Sequence, residues 1–212
     1  MRKIIVLDDD PTGIQTVHGC KLITRWDVPT VREAYYDSVP FFYILTNTRA
    51  MTRKEAAETT RDAMRSVVSV LRESSESELP IFISRSDSCL RGHFPLETDT
   101  MRQVLEENGI KVWHKTPFIP AFIEAGRVTV DGVHYMVDSN NLVQIAETEY
   151  AKDNVFGYTH SRLSDYIVEK GANPADYEIV NAASYDELHA YVEKLTDEIN
   201  GFDGAGVVRS SS

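Results

Sequence analysis

Ile4-Ile5-Val6-Leu7-Asp8-Asp9-Asp10-Pro11-Thr12-Gly13 runs four aliphatic residues, without alternation, into three adjacent carboxylates and a Pro-Thr-Gly turn. A non-alternating aliphatic run suits a strand buried on both faces, the kind found in parallel sheets covered by helices on each side. Three neighbouring carboxylates repel one another, so the strand's end costs stability unless cations or hydrogen-bond donors answer them. A solvated turn accounts for the proline and glycine. A working loop at a strand end accounts for the acids as well.

Outward from this strand the pattern alternates. Lys21–Thr24 is extended, and Thr30 with Glu33 has the spacing of a capping box. FFYILTN (41–47) reads as a second buried strand. Thr52 with Glu55 caps a long helix to about Arg72, with Ala56, Thr60, Met64, Val67, Val68 and Leu71 on one face. RESSESELP (72–80) is a polar loop, PIFIS (80–84) a strand, and Pro95 and Gly109 bracket another helix. VWHKTPFIP (112–120) is a further strand, and two alternating runs about Asp131-Gly132 predict a hairpin. Helices are expected over Asn140–Tyr150 and Ser161–Lys170, then a strand over EIVN (178–181). A last helix is capped by Ser184 and Glu187 and stops at Gly201, before a final strand, GVVRS (206–210). The sum is one α/β domain over residues 1–212: a mostly parallel sheet flanked by helices on both faces, with a β-hairpin insertion.

The chain carries 33 acidic and 22 basic residues, a net charge of -11 that argues against nucleic acid as a partner. Cys20 and Cys89 are too few for a disulfide framework and have no metal-ligand spacing. No apolar run reaches the roughly 18 residues of a membrane span, and the N-terminal apolar stretch is too short for a signal peptide. A cytoplasmic protein is expected.

In parallel sheets, ligands bind where the strands end at their carboxyl side. DDDPTG, NTR (47–49) and SRSDSCLRGH (84–93) all follow predicted strands, and PAFIEAGR (120–127) leads from another into the hairpin. Arg49, Arg85, Arg91, His93, Arg127 and His134 lie in or beside these segments of an otherwise acidic chain. Such a pocket suits a small anion, with arginine gripping a carboxylate or phosphate in a fork. Asp9, Asp10 and Asp87 are placed to accept hydrogen bonds from hydroxyls or to act as a base. Gly13, Gly92 and Gly126 allow close backbone approach or simply tight turns. There is no GxGxxG or GxxxxGK[ST] phosphate loop, and no histidine pattern for a metal.

Two known patterns share part of this sequence. A phosphorelay receiver would need an aspartate at the end of its third strand, where Asn47 and Thr48 stand instead. Asp8, Asp10 and Thr12 do satisfy the DxDxT spacing of a haloacid dehalogenase-like phosphatase. That reading makes Asp8 the nucleophile beside magnesium, but no later acidic pair follows a strand to complete the metal site.

Across nearly its whole length the sequence resembles the four-carbon acid sugar kinase family, specifically its sugar-binding N-terminal domain. A motif close to ADDLTGA falls on Asp8–Ile14, one close to DSTLRGN on Asp87–His93, and one close to PAFPxAGRTxxxGVHY on Pro120–Tyr135. This chain departs from the pattern at Asp8, an extra acid, and at Cys89, Ile123 and Val128. The resemblance implies a kinase acting on threonate- or erythronate-like acids. Asp10 and then Asp87 are the implied catalytic bases. Asp9, Thr12, Gly13, Asn47, Arg49, Ser88, Arg91, Gly92, His93, Gly126, Arg127 and His134 are expected to bind substrate, with Arg91 against the carboxylate. No metal ligand is expected. It further implies that ATP and Mg serve the full enzyme and that neither is bound by this chain alone. The resemblance also implies that the family's C-terminal nucleotide-binding domain is missing from this stretch, which is then expected to be a fragment, a truncated product or the partner of another chain, with a homo-oligomer also open. A stand-alone sugar-acid-binding module is the non-catalytic alternative.

Overall fold

Successive side chains of a strand point to opposite faces, so the run Ile5-Val6-Leu7 needs cover on both sides, and the fold supplies it. The computed structural model describes residues 2–74, 78–139 and 141–211. In chain order they form β1 (Ile4–Asp8), β2 (Lys21–Ile23), α1 (Val28–Tyr35), β3 (Phe41–Leu45), α2 (Arg53–Glu73), β4 (Ile81–Arg85), α3 (Leu96–Glu107) and β5 (Thr116–Ile119). There follow β6 (Arg127–Val130), β7 (Val133–Asp138), β8 (Asn141–Gln144), α4 (Leu163–Glu169), β9 (Tyr177–Ile179), α5 (Tyr185–Asn200) and β10 (Gly206–Ser210). Seven strands make one sheet in the order β2-β3-β1-β4-β10-β5-β9, with every neighbouring pair parallel. The α/β architecture read from the sequence is the one observed.

Ile5, Leu7, Phe42, Ile44, Phe82 and Val207 face α1, α2 and α3, burying Val31, Met64, Val67 and Met101. On the other face Val208, Ile119, Ile81 and Ile83 meet Leu195, Ile199 and Leu188 of α5. Each such side chain, once buried, contributes about 1.5–3 kcal/mol, which is what holds helices to a sheet they do not hydrogen-bond. Among the described residues no helix is long and apolar enough to cross a membrane.

The α2 capping box forms as its spacing predicts: Thr52 accepts from the Glu55 amide, and the Glu55 carboxylate takes the Thr52 amide at 2.9 Å. Both bonds are exposed, so Thr52→Ala is expected to cost about 1 kcal/mol. Chemical denaturation checks this, and an unchanged midpoint refutes it.

Two local expectations are corrected. Helix α1 is capped by Asp27, not Thr30. Asp27 Oδ1 accepts from both the amide and the hydroxyl of Thr30, and Pro29 falls in the first turn, where its missing N–H costs nothing. The helix expected over Asn140–Tyr150 is instead β8 followed by short 3-10 turns, with Asn140 itself outside the described residues. Val143 pairs across from Met136 and Leu142 from Val137, so the hairpin supplies a strand partner that local helical preference does not outweigh. The hairpin is thereby extended to a three-stranded antiparallel sheet, β6-β7-β8. Its turn has Asp131 at φ 49° and Gly132 at φ 73°, the left-handed pair that a two-residue hairpin requires. Of the expected loop over 72–80, residues 75–77 lie outside the described residues.

Candidate functional site

Parallel register brings the strand ends level. Asp8 stands beside Leu45 on one side and Arg85 on the other, and Arg85 beside Ser210. After β1 the chain moves toward β2, and after β4 toward β5, so the two loops diverge and leave a crevice at the sheet's carboxyl edge.

The three opening aspartates have three different fates. Asp8 is fully buried, with Arg85 Nη1 at 3.3 Å from Oδ1 and, among the described residues, no hydrogen-bond partner on Oδ2. Burial pushes its carboxyl up to about 6 against the pull of Arg85. Gly13 lies directly over it: a Cβ there would sit 2.2 Å from Oδ2, so the loop closes only with glycine at this position. Asp9, also buried, takes a fork from Arg49 (Nη2 at 2.6 Å, Nε at 3.2 Å) and the Ser86 hydroxyl at 2.5 Å. Asp10 reaches the surface. Burial acts to raise its pKa, but the hydroxyl and amide of Thr12 and the charge of Arg49 outweigh it and hold the carboxyl below its ordinary range.

The 87–93 loop is held from behind. His134 Nε2, Tyr158 Oη and Tyr166 Oη donate to the carbonyls of Ser88, Cys89 and Leu90 in turn, each at 2.8 Å. Ser88 O is an acceptor, so the His134 proton is assigned to Nε2, and Nδ1 takes the Thr129 hydroxyl at 3.0 Å. Leu90 at φ 64° lets the chain turn back, and Arg91 Nε then meets Asp87 Oδ2 at 2.6 Å. Gly92 packs where a Cβ would lie 2.5 Å from Ser86 Oγ and 2.9 Å from Asp9 Oδ2.

The third motif delivers Arg127. Its guanidinium and that of Arg91 lie 5.7 and 5.1 Å from the centroid of one ring, Tyr150. The field of Asp87 reaches Arg49 and that of Arg49 reaches Arg91, so the three loops form one electrostatic unit.

Asp9, Asp10, Arg49, Asp87, Arg91, Gly92 and Arg127 are thus gathered, with Thr12 and Gly13 supporting the first loop. Ser88 and His134 stand behind the rim, and both ring nitrogens of His134 are engaged. His93 is buried with Nε2 on the Met51 carbonyl at 3.0 Å. Gly126 packs on Val137 at the hairpin, and Asn47 is an exposed left-handed residue at φ 53° that turns the chain into Arg49. Sequence reading missed Tyr150 and the buried pair Arg209–Glu97 (2.9 Å), which receives the Thr48 hydroxyl and flanks Gly92. Glu97 lies on a helix face where an acid looks solvated, and only the fold shows Arg209 opposite it. Burial pushes the Glu97 carboxyl up, with Asp9 adding to the push and Arg209 opposing it.

A family model described as the sugar-binding N-terminal domain matches residues 4–208. The chain belongs to this family. Among relatives, the sugar-binding domain is 26% identical over 183 residues to a D-erythronate kinase of Heliobacterium modesticaldum, covering 84% of this chain and 38% of that protein. It superposes on a Bordetella bronchiseptica domain of unknown function, a domain-swapped dimer with bound citrate, at a TM-score of 0.67 and 19% identity. A Haemophilus influenzae protein matches at a TM-score of 0.68 and 16% identity. The sugar-binding domain spans 55% and 53% of those two chains, and both matches agree with its fold.

Proposed function

We propose that this domain binds a four-carbon sugar acid and presents one hydroxyl for phosphorylation by ATP, with the nucleotide and its magnesium held by the remainder of a larger kinase or by a partner chain. The observation that carries the reading is the meeting of Asp10 and Asp87 with Arg49, Arg91 and Arg127 on the one edge where the three motif loops converge. Phosphoryl transfer asks mainly for positioning, with a base or orienting group on the attacking hydroxyl. Asp10 is anionic, partly exposed and fixed by Thr12, so it is assigned that role, with Asp87 second. The name of the Heliobacterium relative favours an erythronate-like substrate. The citrate and dimeric state of the Bordetella protein are consistent with a small carboxylate ligand and with self-association.

The phosphatase alternative loses its nucleophile, because Asp8 has no exposed surface and is backed by Arg85. Among the described residues no three His, Cys, Asp or Glu side chains gather as a metal site.

Thermal unfolding against D-erythronate and D-threonate, with and without Mg-ATP, tests the proposal. At a hundred times the dissociation constant a bound acid adds about 2.7 kcal/mol and raises Tm, while Mg-ATP alone leaves it unmoved. Absence of any shift with four-carbon acids overturns it.

A further inference from the structure

Four arginines at this edge are already committed: Arg49 to Asp9, Arg85 to Asp8, Arg91 to Asp87 and Arg209 to Glu97. Arg127 is not. Among the described residues no carboxylate lies within ion-pair distance of it, and its buried Nε has no hydrogen-bond partner. Among the described residues its Nη1 donates to the Ala125 carbonyl, and the Cys89 thiol and the neutral His134 imidazole are neighbours that bring no negative charge to answer it. A half-buried guanidinium with an unused donor is costly unless an anion answers it.

Tyr150 supplies the second half of the observation. Its ring, packed against the cluster of Phe94, Tyr158 and Tyr166, carries both Arg127 and Arg91 as cation–π contacts. Two like charges held on one ring keep a fixed spacing that neither would keep alone, and the ring's negative face offsets part of their repulsion.

We infer that Arg127, rather than Arg91, takes the substrate carboxylate, and that Tyr150 is a positioning residue that sets the guanidinium for it. Arg91 then serves mainly to orient Asp87, and the ligand class narrows to acids whose carboxylate lies a short carbon chain from the hydroxyl facing Asp10 or Asp87. This rests on the sugar-acid reading above.

The test is calorimetric titration at pH 7 with D-erythronate and with its neutral amide. Wild type is expected to prefer the acid. Arg127→Met should weaken acid binding about tenfold or more and erase the preference for acid over amide. Arg127→Lys keeps a charge but not the fork and should retain part of the preference. It also serves as the reading should the methionine variant melt early. Tyr150→Leu should lower acid affinity roughly tenfold while Tyr150→Phe, which keeps the ring face, restores it. A variant at Arg127 that keeps the full preference, or a Tyr150→Phe that behaves like Tyr150→Leu, overturns the inference while the sugar-acid reading stands. A wild-type domain that binds neither compound overturns both.

Discussion

Asp9→Ala is expected to remove roughly 3–5 kcal/mol of stability, the cost of breaking a buried ion pair from one side. The carboxylate is 1% exposed and accepts from Arg49 twice and from Ser86 once. Without it, among the described residues, Arg49 keeps the longer ion pair to Asp10, at 3.5 Å, and the more distant field of Asp87, and stays mostly buried. The main chain depends on the same pair, because the Arg49 amide donates to the Asp9 carbonyl at 3.1 Å and the Asp9 amide to Arg85 O at 3.2 Å. Small domains hold only about 5–15 kcal/mol in all, so the variant should unfold at a much lower urea midpoint. The source of the loss can be checked with Arg49→Met added to Asp9→Ala. If the stranded charge dominates, the double variant is more stable than the single one. A loss below about 1 kcal/mol, or no recovery in the double variant, contradicts the account.

This arrangement explains why the opening aspartates were only half legible. A strand running into three acids announced an end where charge is concentrated, and the parallel topology that gathers such ends followed from alternating strands and helices. What a one-dimensional reading does not contain is depth. Asp8, Asp9 and Asp10 look equivalent in the chain, yet the first lies beneath Gly13, the second is locked to Arg49 and the third faces outward. Side chains one position apart at the end of a pleated strand point in different directions, and only the neighbouring loops decide which of them meets water.

Elsewhere the same distinction holds. Helix caps, the Asp131-Gly132 turn and the buried runs are local codes. The full capping box forms at Thr52, Ser184 caps its helix through the Glu187 amide while the Glu187 carboxylate turns to the Ala183 amide, and the hairpin forms. The stretch from Asn141 to Tyr150 was misread because its structure is set by a partner strand and not by its own periodicity. Tyr150 was hidden with it. An aromatic residue beside an acid in an apparent helix signals packing, and its role as a seat for two arginines exists only once the 87–93 and 127 loops are brought to it.

Lowering the pH should narrow the stability difference between wild type and His134→Gln, and the direction follows from where the histidine sits. His134 has no exposed surface, and burial pulls its pKa down to about 4, with Arg127 reinforcing and the Ser88 carbonyl and Asp87 opposing. In the unfolded chain the imidazole takes a proton near pH 6.5, while in the fold it stays neutral to about 4. Its contribution is therefore complete above about pH 6.5 and is lost as pH falls through 4, amounting to about 3 kcal/mol over the window. Asp8 works oppositely. Its raised value, about 6, means that the fold keeps a proton the unfolded chain has released, so its contribution is present at low pH and lost as pH rises through 6. The two slopes offset each other, and a shallow wild-type profile between pH 4 and 6.5 would conceal both. The informative quantity is the difference between wild type and His134→Gln, which should shrink by about 3 kcal/mol from pH 7 to pH 4. The difference between wild type and Asp8→Asn should move the other way, toward a greater wild-type advantage at pH 4. A His134 difference that does not change with pH would mean the imidazole is reached by water in the fold, and the anchor on Ser88 O would then not be the sealed contact that fixes Asp87 and Arg91.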